Sequence, residues 1–455
     1  MNHFLITSLS LGSILKSPRV KHHPMSAMMP YSGKGDWDFR SANTKEYTHC
    51  FHIYPAMMIP QIARRLIELY GKEGEILFDP YCGTGTSLVE ARLAGMNALG
   101  TDINPTARLI ALAKTRDYNI KNLEKSVKKF LSLIEEEIES ISNYSNFDQP
   151  EFVTWERLRD WFPEKSIGQI SYALQQIEKI DYKTAQLFLR VSLSECLRLV
   201  SYQRNGEFKQ YRIGKQERES FYEPLLPKLK ERIERNLAGA TEFSEIVDKG
   251  TKAWIKGFNT VLTSGRTHFP GPKPSVDLVV TSPPYGDSGT TVAYAQFSWL
   301  SNVWLGLDNR ASSAMDSDMM GGRKTPVEPL ELYKMLECPP MKEAFEQIVT
   351  QDEGRAAEVM QFYYDYYISM KNVASEIKNG GHVCYVVGNR IVKGIQLPTD
   401  QFTAWAFEQC GFTHIVTYIR DIPNKRMPSK NSPSNVSGEK SATMTNEYIV
   451  VCRKS

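Results

Sequence analysis

Residues 75–115 constrain the fold more than any other stretch. Glu75-Ile76-Leu77-Phe78-Asp79 is a short apolar run that breaks at Pro80, and Gly83-Thr84-Gly85 follows at once. Leu88, Val89, Ala91 and Leu93 then recur at helical spacing until Gly95. A second run, Ala98-Leu99-Gly100-Thr101, ends on Asp102-Ile103 before Asn104-Pro105 turns into another helix. Strand, glycine turn, helix and strand make a βαβ unit, which needs a parallel sheet with helices on its faces. The glycines stand where the backbone must approach a ligand closely. Asp102, 17 residues beyond Gly85, is placed to accept both hydroxyls of a ribose. A lone Gly-x-Gly says little, but Asp-Pro-x-x-Gly-x-Gly, helix and strand-terminal acid in that order predict a nucleoside-bearing cofactor.

A second feature fixes the chemistry. Val276-Asp277-Leu278-Val279-Val280 reads as a buried parallel strand, and Thr281-Ser282-Pro283-Pro284-Tyr285 stops it. Proline fixes φ and has no backbone donor, so Pro283 and Pro284 make a rigid corner with free carbonyls. A hydroxyl (Ser282) precedes the corner and a flat aromatic (Tyr285) follows it. Together they can hold a planar group, with acceptors for an amine's hydrogens and a ring for stacking. The same pattern also begins ordinary loops, so the corner gains meaning only from the βαβ unit upstream.

At 455 residues the chain can bury a large core and form two or three structural units. A net charge of +3 permits a polyanionic partner without arguing for one. The seven cysteines lack paired spacing and no Cys/His cluster has zinc geometry, which fits reduced cytosolic thiols. His49 and His52 gather no further ligand types, and no metal is expected. Residues 4–15 are apolar but lack a charged start and a cleavage site, and no run reaches the roughly 18–20 residues of a membrane span. A cytoplasmic protein with an extended or disordered N-terminus over 1–35 is expected.

Phe78-Asp79-Pro80-Tyr81-Cys82-Gly83-Thr84-Gly85-Thr86 resembles the S-adenosylmethionine loop of amino-group DNA methyltransferases. Thr281-Ser282-Pro283-Pro284-Tyr285 looks like their catalytic motif, in the serine form most typical of cytosine-N4 enzymes; adenine-N6 members usually carry Asp or Asn at the position of Ser282. Tyr54-Pro55 and the helix after them resemble the segment that contacts the methionine end of the cofactor. The likeness covers about residues 45–115 and 276–300 plus the C-terminal strands. It implies an α/β, Rossmann-like methyltransferase fold: a mostly parallel seven-stranded sheet with an antiparallel C-terminal strand, plus a helical insertion. It also implies that Asp102 and Ile103 lie at the cofactor's ribose. The family often has an acid at the end of the third strand. Val261–Arg266 is the candidate strand here and offers only Ser264.

The expected organisation is cofactor-binding residues 36–116, a helical insertion over 117–250, and a catalytic part over 251–455 with an irregular loop at 307–355. The insertion is where target recognition is expected. Its basic, aromatic stretch Tyr202–Arg212 offers Arg204, Lys209 and Arg212 to a phosphate backbone, and the loop after residue 422 offers Lys425, Arg426 and Lys430. Phe362–Tyr367 continues a helical stripe and reads as core. Asp287 reads as an exposed loop acid. The expected activity is methyl transfer to the N4 amine of a flipped cytosine in double-stranded DNA, in restriction–modification or host defence, with room for a cognate endonuclease. An adenine-N6 or RNA guanine-N2 methyltransferase and a catalytically silent DNA-binding partner are the alternatives.

Overall fold

A computed structural model describes residues 37–422 and 446–455, apart from 205, 207, 266–272, 288–291, 309, 311, 323–330 and 332–337, together with 430–431, 441–442 and 444. Its centre is a seven-stranded sheet of β1 (Ile76–Asp79), β2 (Asn97–Thr101), β3 (Ala253–Lys256), β4 (Val276–Thr281), β5 (Ile377–Gly388), β6 (Phe412–Asp421) and β7 (Asn446–Lys454). The spatial order is 3-2-1-4-5-7-6, and β7 runs antiparallel to both of its neighbours while the other pairings are parallel. This is the Rossmann-like methyltransferase arrangement expected from the sequence.

Both faces of the sheet are apolar because helices cover both, so its central strands carry no polar alternation. On one face Leu77, Leu278, Val280 and Val386 pack with Ile62 and Leu66 of α1 (Pro60–Tyr70) and Leu88 and Ala91 of α2 (Thr86–Leu93). On the other, Phe78, Val279, Val383 and Tyr385 form a second core. Local signals start the helices: Pro60 opens α1, and the Asn104 side chain accepts from the Thr106 N–H where Pro105 opens α3 (Pro105–Lys114).

Residues 117–250 form α4 (Ile120–Glu135), α5 (Glu164–Glu178), α6 (Lys183–Leu199) and α7 (Leu225–Ile246), with shorter helices and turns between them. Leu123, Val127 and Phe130 of α4 meet Ile170, Phe188 and Leu229 in a separate helical core. That core reaches the sheet through Ile110 of α3 and through Trp299 and Val303 of α8 (Tyr294–Trp304). Gly239 lets α7 lie against the backbone of Tyr47, since a Cβ there would stand 2.3 Å from the Tyr47 carbonyl oxygen.

The described part of residues 307–355 is less irregular than its Pro, Gly and Met content suggests. It contains α9 (Lys342–Gln351), whose Phe345 and Ile348 pack on α10 (Glu353–Ala374). In α10, Phe362, Tyr363 and Tyr366 are buried, so the aromatic cluster belongs to the core. The helix α11 (Thr399–Glu408) completes that face with Phe402 and Phe407. Among the described residues no helix is long and apolar enough to cross a membrane.

Candidate active site

The strand order reverses between β1 and β4, and the crevice outside their carboxyl ends is where an open α/β sheet binds ligands. Asp79 closes β1 and Thr281 closes β4; the Thr281 hydroxyl donates to Asp79 Oδ1 at 2.5 Å. The same oxygen accepts the Tyr81 N–H at 3.1 Å, and Oδ2 accepts the Ser87 hydroxyl. This carboxyl therefore ties the glycine turn, the helix after it and the proline corner together. Burial pushes it up to about 6 against those hydrogen bonds.

Gly83 and Gly85 have φ of +48° and +82°, in the left-handed region that favours glycine. At Gly85 a Cβ would also stand 3.0 Å from that of Ala111. Asp102, just beyond β2, accepts the Gly83 N–H at 3.0 Å and the Asn104 N–H at 2.7 Å, so it fixes the turn from the far side. Burial holds its carboxyl above the ordinary value. The Asn104 amide donates to the hydroxyls of Tyr54 (2.9 Å) and Ser298 (2.7 Å), and the Tyr54 ring stacks on Tyr294 with centroids 6.0 Å apart.

These groups surround a cavity of about 130 Å³. Tyr54, Pro55, Asp79, Pro80, Cys82, Gly83, Thr84, Thr86, Asp102 and Ile103 line it, and so do Ser282 and Pro284. The glycine turn and the proline corner thus face one space. Gly85 stands behind the turn, Pro283 is buried, and Tyr285 is half-buried outside the lining with its hydroxyl hydrogen-bonded to Ser282 and Glu447. The described lining carries the carboxyl groups of Asp79, Asp102 and Asp318, the last paired with Arg310 at 2.8 Å, and no Lys, Arg or His side chain. Such a wall favours a cationic ligand.

Two sequence expectations need correction. The third strand is Ala253–Lys256, and the described residues 261–265 of the candidate stretch lie in the turn and loop beyond it. Phe258, Asn259 and Thr260 line the cavity there and Ser264 does not. The edge strand was hard to read because all four of its residues are only half-buried. Asp287 is not an exposed acid: it is 8 % exposed, and Arg390 (3.1 Å) and Arg355 (3.4 Å) pair with it. Met57, Tyr294, Asp318, Met319 and Met320 also line the cavity, and sequence reasoning missed their place there. Tyr294 followed the corner closely enough to be found; the other four carry no motif.

The Cys82 thiol is buried, and burial followed by the nearby Asp102 and Asp79 charges pushes it well above its ordinary value, which disfavours the thiolate that a nucleophile needs. His49 bonds to Glu90 at 2.8 Å and His52 to the Ile53 carbonyl at 2.6 Å.

In the basic stretch, Arg204 and Lys209 are exposed. Arg212 donates to the Asp160 carbonyl at 3.1 Å and lies 5.3 Å from the Trp161 ring centroid. The stretch rests on α8, with Phe208 against Phe297 (6.3 Å) and the Gln210 N–H on Gln296 (3.2 Å). Lys425 and Arg426 lie outside the described residues; Lys430 belongs to a two-residue strand paired with Ser441–Ala442.

A family model described as "DNA methylase", for N6 and N4 enzymes, matches residues 21–113. The type II methyltransferase M.MvaI of Kocuria varians is 38% identical over 432 residues, 91% of this chain and 93% of that one. M.BsoBI of Geobacillus stearothermophilus is 24% identical over 230 residues, 49% of this chain and 41% of that one. A tRNA (guanine(10)-N2)-dimethyltransferase of Methanocaldococcus jannaschii is 36% identical over 106 residues, 21% of this chain and 30% of that one. With the glycine turn and the proline corner facing one acidic cavity, and a relative matched over nearly its whole length, the chain belongs to the amino-group DNA methyltransferase family and takes S-adenosylmethionine as its cofactor.

Proposed function

We propose that the protein methylates the exocyclic N4 amine of cytosine at specific sites in double-stranded DNA. The observation that carries this is that Ser282 and Pro284 line the same cavity as Asp79, Gly83 and Asp102. The serine form of the corner favours cytosine-N4 over adenine-N6. Bound in the cavity, S-adenosylmethionine supplies a methyl group on a positively charged sulfur. The carboxyl groups of Asp79 and Asp102 in the wall, and the lack of Lys, Arg and His among its described lining residues, fit that charge. Asp102 would take the ribose hydroxyls, and Tyr54 and Pro55 the methionine end.

An exocyclic amine is a poor nucleophile because its lone pair is delocalised into the ring. Ser282 Oγ and the Pro283 carbonyl accept its two hydrogens, which lets the nitrogen pyramidalise and frees the lone pair. The prolines hold both acceptors still, so positioning and preorganised dipoles supply most of the acceleration. No covalent bond to the enzyme is needed. A base in a duplex cannot reach the corner without leaving its stack, and Tyr285 is the ring on which the flipped base rests. Arg204 and Lys209 hold the backbone, and residues 117–250 read the target. We place the protein in the cytoplasm, in restriction–modification with a companion endonuclease.

The experiment is Ser282→Ala with tritiated cofactor and unmethylated phage DNA. Turnover should fall about 100-fold, the scale of one lost preorganised hydrogen-bonding group, while S-adenosylhomocysteine binds as before. Unchanged turnover would refute the role of Ser282. The stretch shared with the tRNA enzyme supports a second reading, an RNA guanine amine as acceptor; the same assay on RNA separates the two.

A further inference from the structure

The hydroxyl of Ser282 does not end at the cavity wall. It donates to the Tyr285 hydroxyl at 3.3 Å, and Tyr285 donates to Glu447 Oε1 at 2.9 Å. The other carboxylate oxygen, Oε2, accepts from Arg420 Nη1 at 2.5 Å. Strand register builds this chain: Glu447 on β7 stands opposite Arg420 on β6 and opposite Gly388 on β5. Gly388 makes room for the ring, since a Cβ there would lie 2.9 Å from Tyr285 Cδ2.

We propose that Glu447 is a positioning residue that sets the direction of this hydrogen-bond chain, so that Ser282 meets the substrate as an acceptor. This rests on the reading of Ser282 as the acceptor for the amine. A serine hydroxyl can donate or accept, and a donor aimed at an amine's hydrogens would repel them. A carboxylate only accepts. Glu447 therefore obliges Tyr285 to donate to it, Tyr285 in turn accepts from Ser282, and the Ser282 proton is held away from the cavity. The lone pairs of Ser282 Oγ are left for the substrate. Burial, and then the Glu447 charge, hold the Tyr285 hydroxyl well above its ordinary value, so it stays a donor. Arg420 is itself buried, which fixes the carboxylate from behind.

Glu447→Gln tests direction at nearly constant shape. Arg420 can donate only to the amide oxygen, so the amide nitrogen faces Tyr285 and donates to it. Tyr285 then donates to Ser282, and the serine proton turns into the cavity. Tritium transfer to unmethylated phage DNA is compared for wild type, Ser282→Ala, Glu447→Gln, Tyr285→Phe and the double variant Tyr285→Phe/Glu447→Gln. S-adenosylhomocysteine affinity, by calorimetry, reports on folding and on the cofactor site.

The proposal predicts that kcat for Glu447→Gln falls about 100-fold, the scale of losing one preorganised group, with S-adenosylhomocysteine affinity unchanged. Tyr285→Phe frees the serine rotor without inverting it and should lose about 10-fold. The double variant should turn over at the Tyr285→Phe rate, because without the phenol the amide has no route to Ser282. Full activity of Glu447→Gln overturns the proposal, and so does a double variant whose losses multiply, as a merely structural role for Glu447 would give. If Ser282→Ala loses activity and Glu447→Gln does not, the relay alone fails. If Ser282→Ala is fully active, the acceptor reading beneath it fails too.

Discussion

Lys114 should be among the most costly side chains in the protein, and replacing it with methionine should stabilise the fold. The lysine ends α3 and is fully buried, and its one side-chain partner among the described residues is the Thr84 hydroxyl at 3.3 Å. No carboxylate reaches it within ion-pair distance among the described residues; the charged or ionisable groups that influence it are Lys45, Cys50, Glu195 and Arg235. Burial is the largest cause of its fall from an ordinary 10.5 to about 7. At pH 7, where the folded group is already half deprotonated, a fall of that size corresponds to about 4 kcal/mol of destabilisation. Methionine keeps the length of the stem and loses only the bond to Thr84, about 1 kcal/mol. The expected net gain is therefore about 3 kcal/mol at pH 7.

The sign of the pH dependence follows from proton counts. Between about 7 and 10.5 the unfolded chain keeps this proton and the folded chain has lost it, so wild-type stability from this group rises with pH. Urea unfolding of wild type and Lys114→Met at pH 7 and pH 9.5 should show the variant's advantage shrinking by about 3 kcal/mol at the higher pH. Equal advantages at both pH values, or a loss of stability at pH 7, would refute the argument.

Three further outcomes are expected. Asp102→Ala removes the acceptor that holds the Gly83 N–H at 3.0 Å, and S-adenosylhomocysteine affinity should fall by about 1–3 kcal/mol in calorimetry; unchanged affinity would take Asp102 out of the ribose site. Gly239→Ala forces a Cβ against the Tyr47 carbonyl oxygen and should cost about 1–3 kcal/mol in urea unfolding, with DNA affinity per folded molecule unaltered. Lys209→Ala should lower non-specific DNA affinity and reduce the slope of log K against log salt by about 1, whereas an unchanged slope would remove Lys209 from the phosphate contacts.

The residues that were legible in the sequence are those whose backbone requirement is local. Gly83 and Gly85 need left-handed φ, Pro283 and Pro284 fix a corner whatever surrounds them, and Val279 or Val383 reads as a strand buried on both faces. The parallel core of the sheet followed from these. What escaped depends on contacts between distant residues. Glu447 meets Tyr285 across 162 positions, and nothing near residue 447 marks it. Lys114 sits at a helix end, where a lysine ordinarily faces water. Asp287 lies in a polar loop, and only folding brings Arg355 and Arg390 to it. The third strand was misplaced for a different reason: Ala253–Lys256 is a short, half-buried edge, while Val261-Leu262 is an apolar pair that folding leaves in a turn, Leu262 being 64 % exposed.

The central claim, that the proline corner presents a cytosine amine to the donor methyl, is tested most directly by the product. Unmethylated double-stranded phage DNA treated with the wild-type protein and labelled S-adenosylmethionine, then digested to nucleosides and resolved by mass spectrometry, should carry the label in N4-methylcytosine. Label in N6-methyladenine would move the substrate to the other branch of the family, and label in C5-methylcytosine, or none at all, would contradict the mechanism.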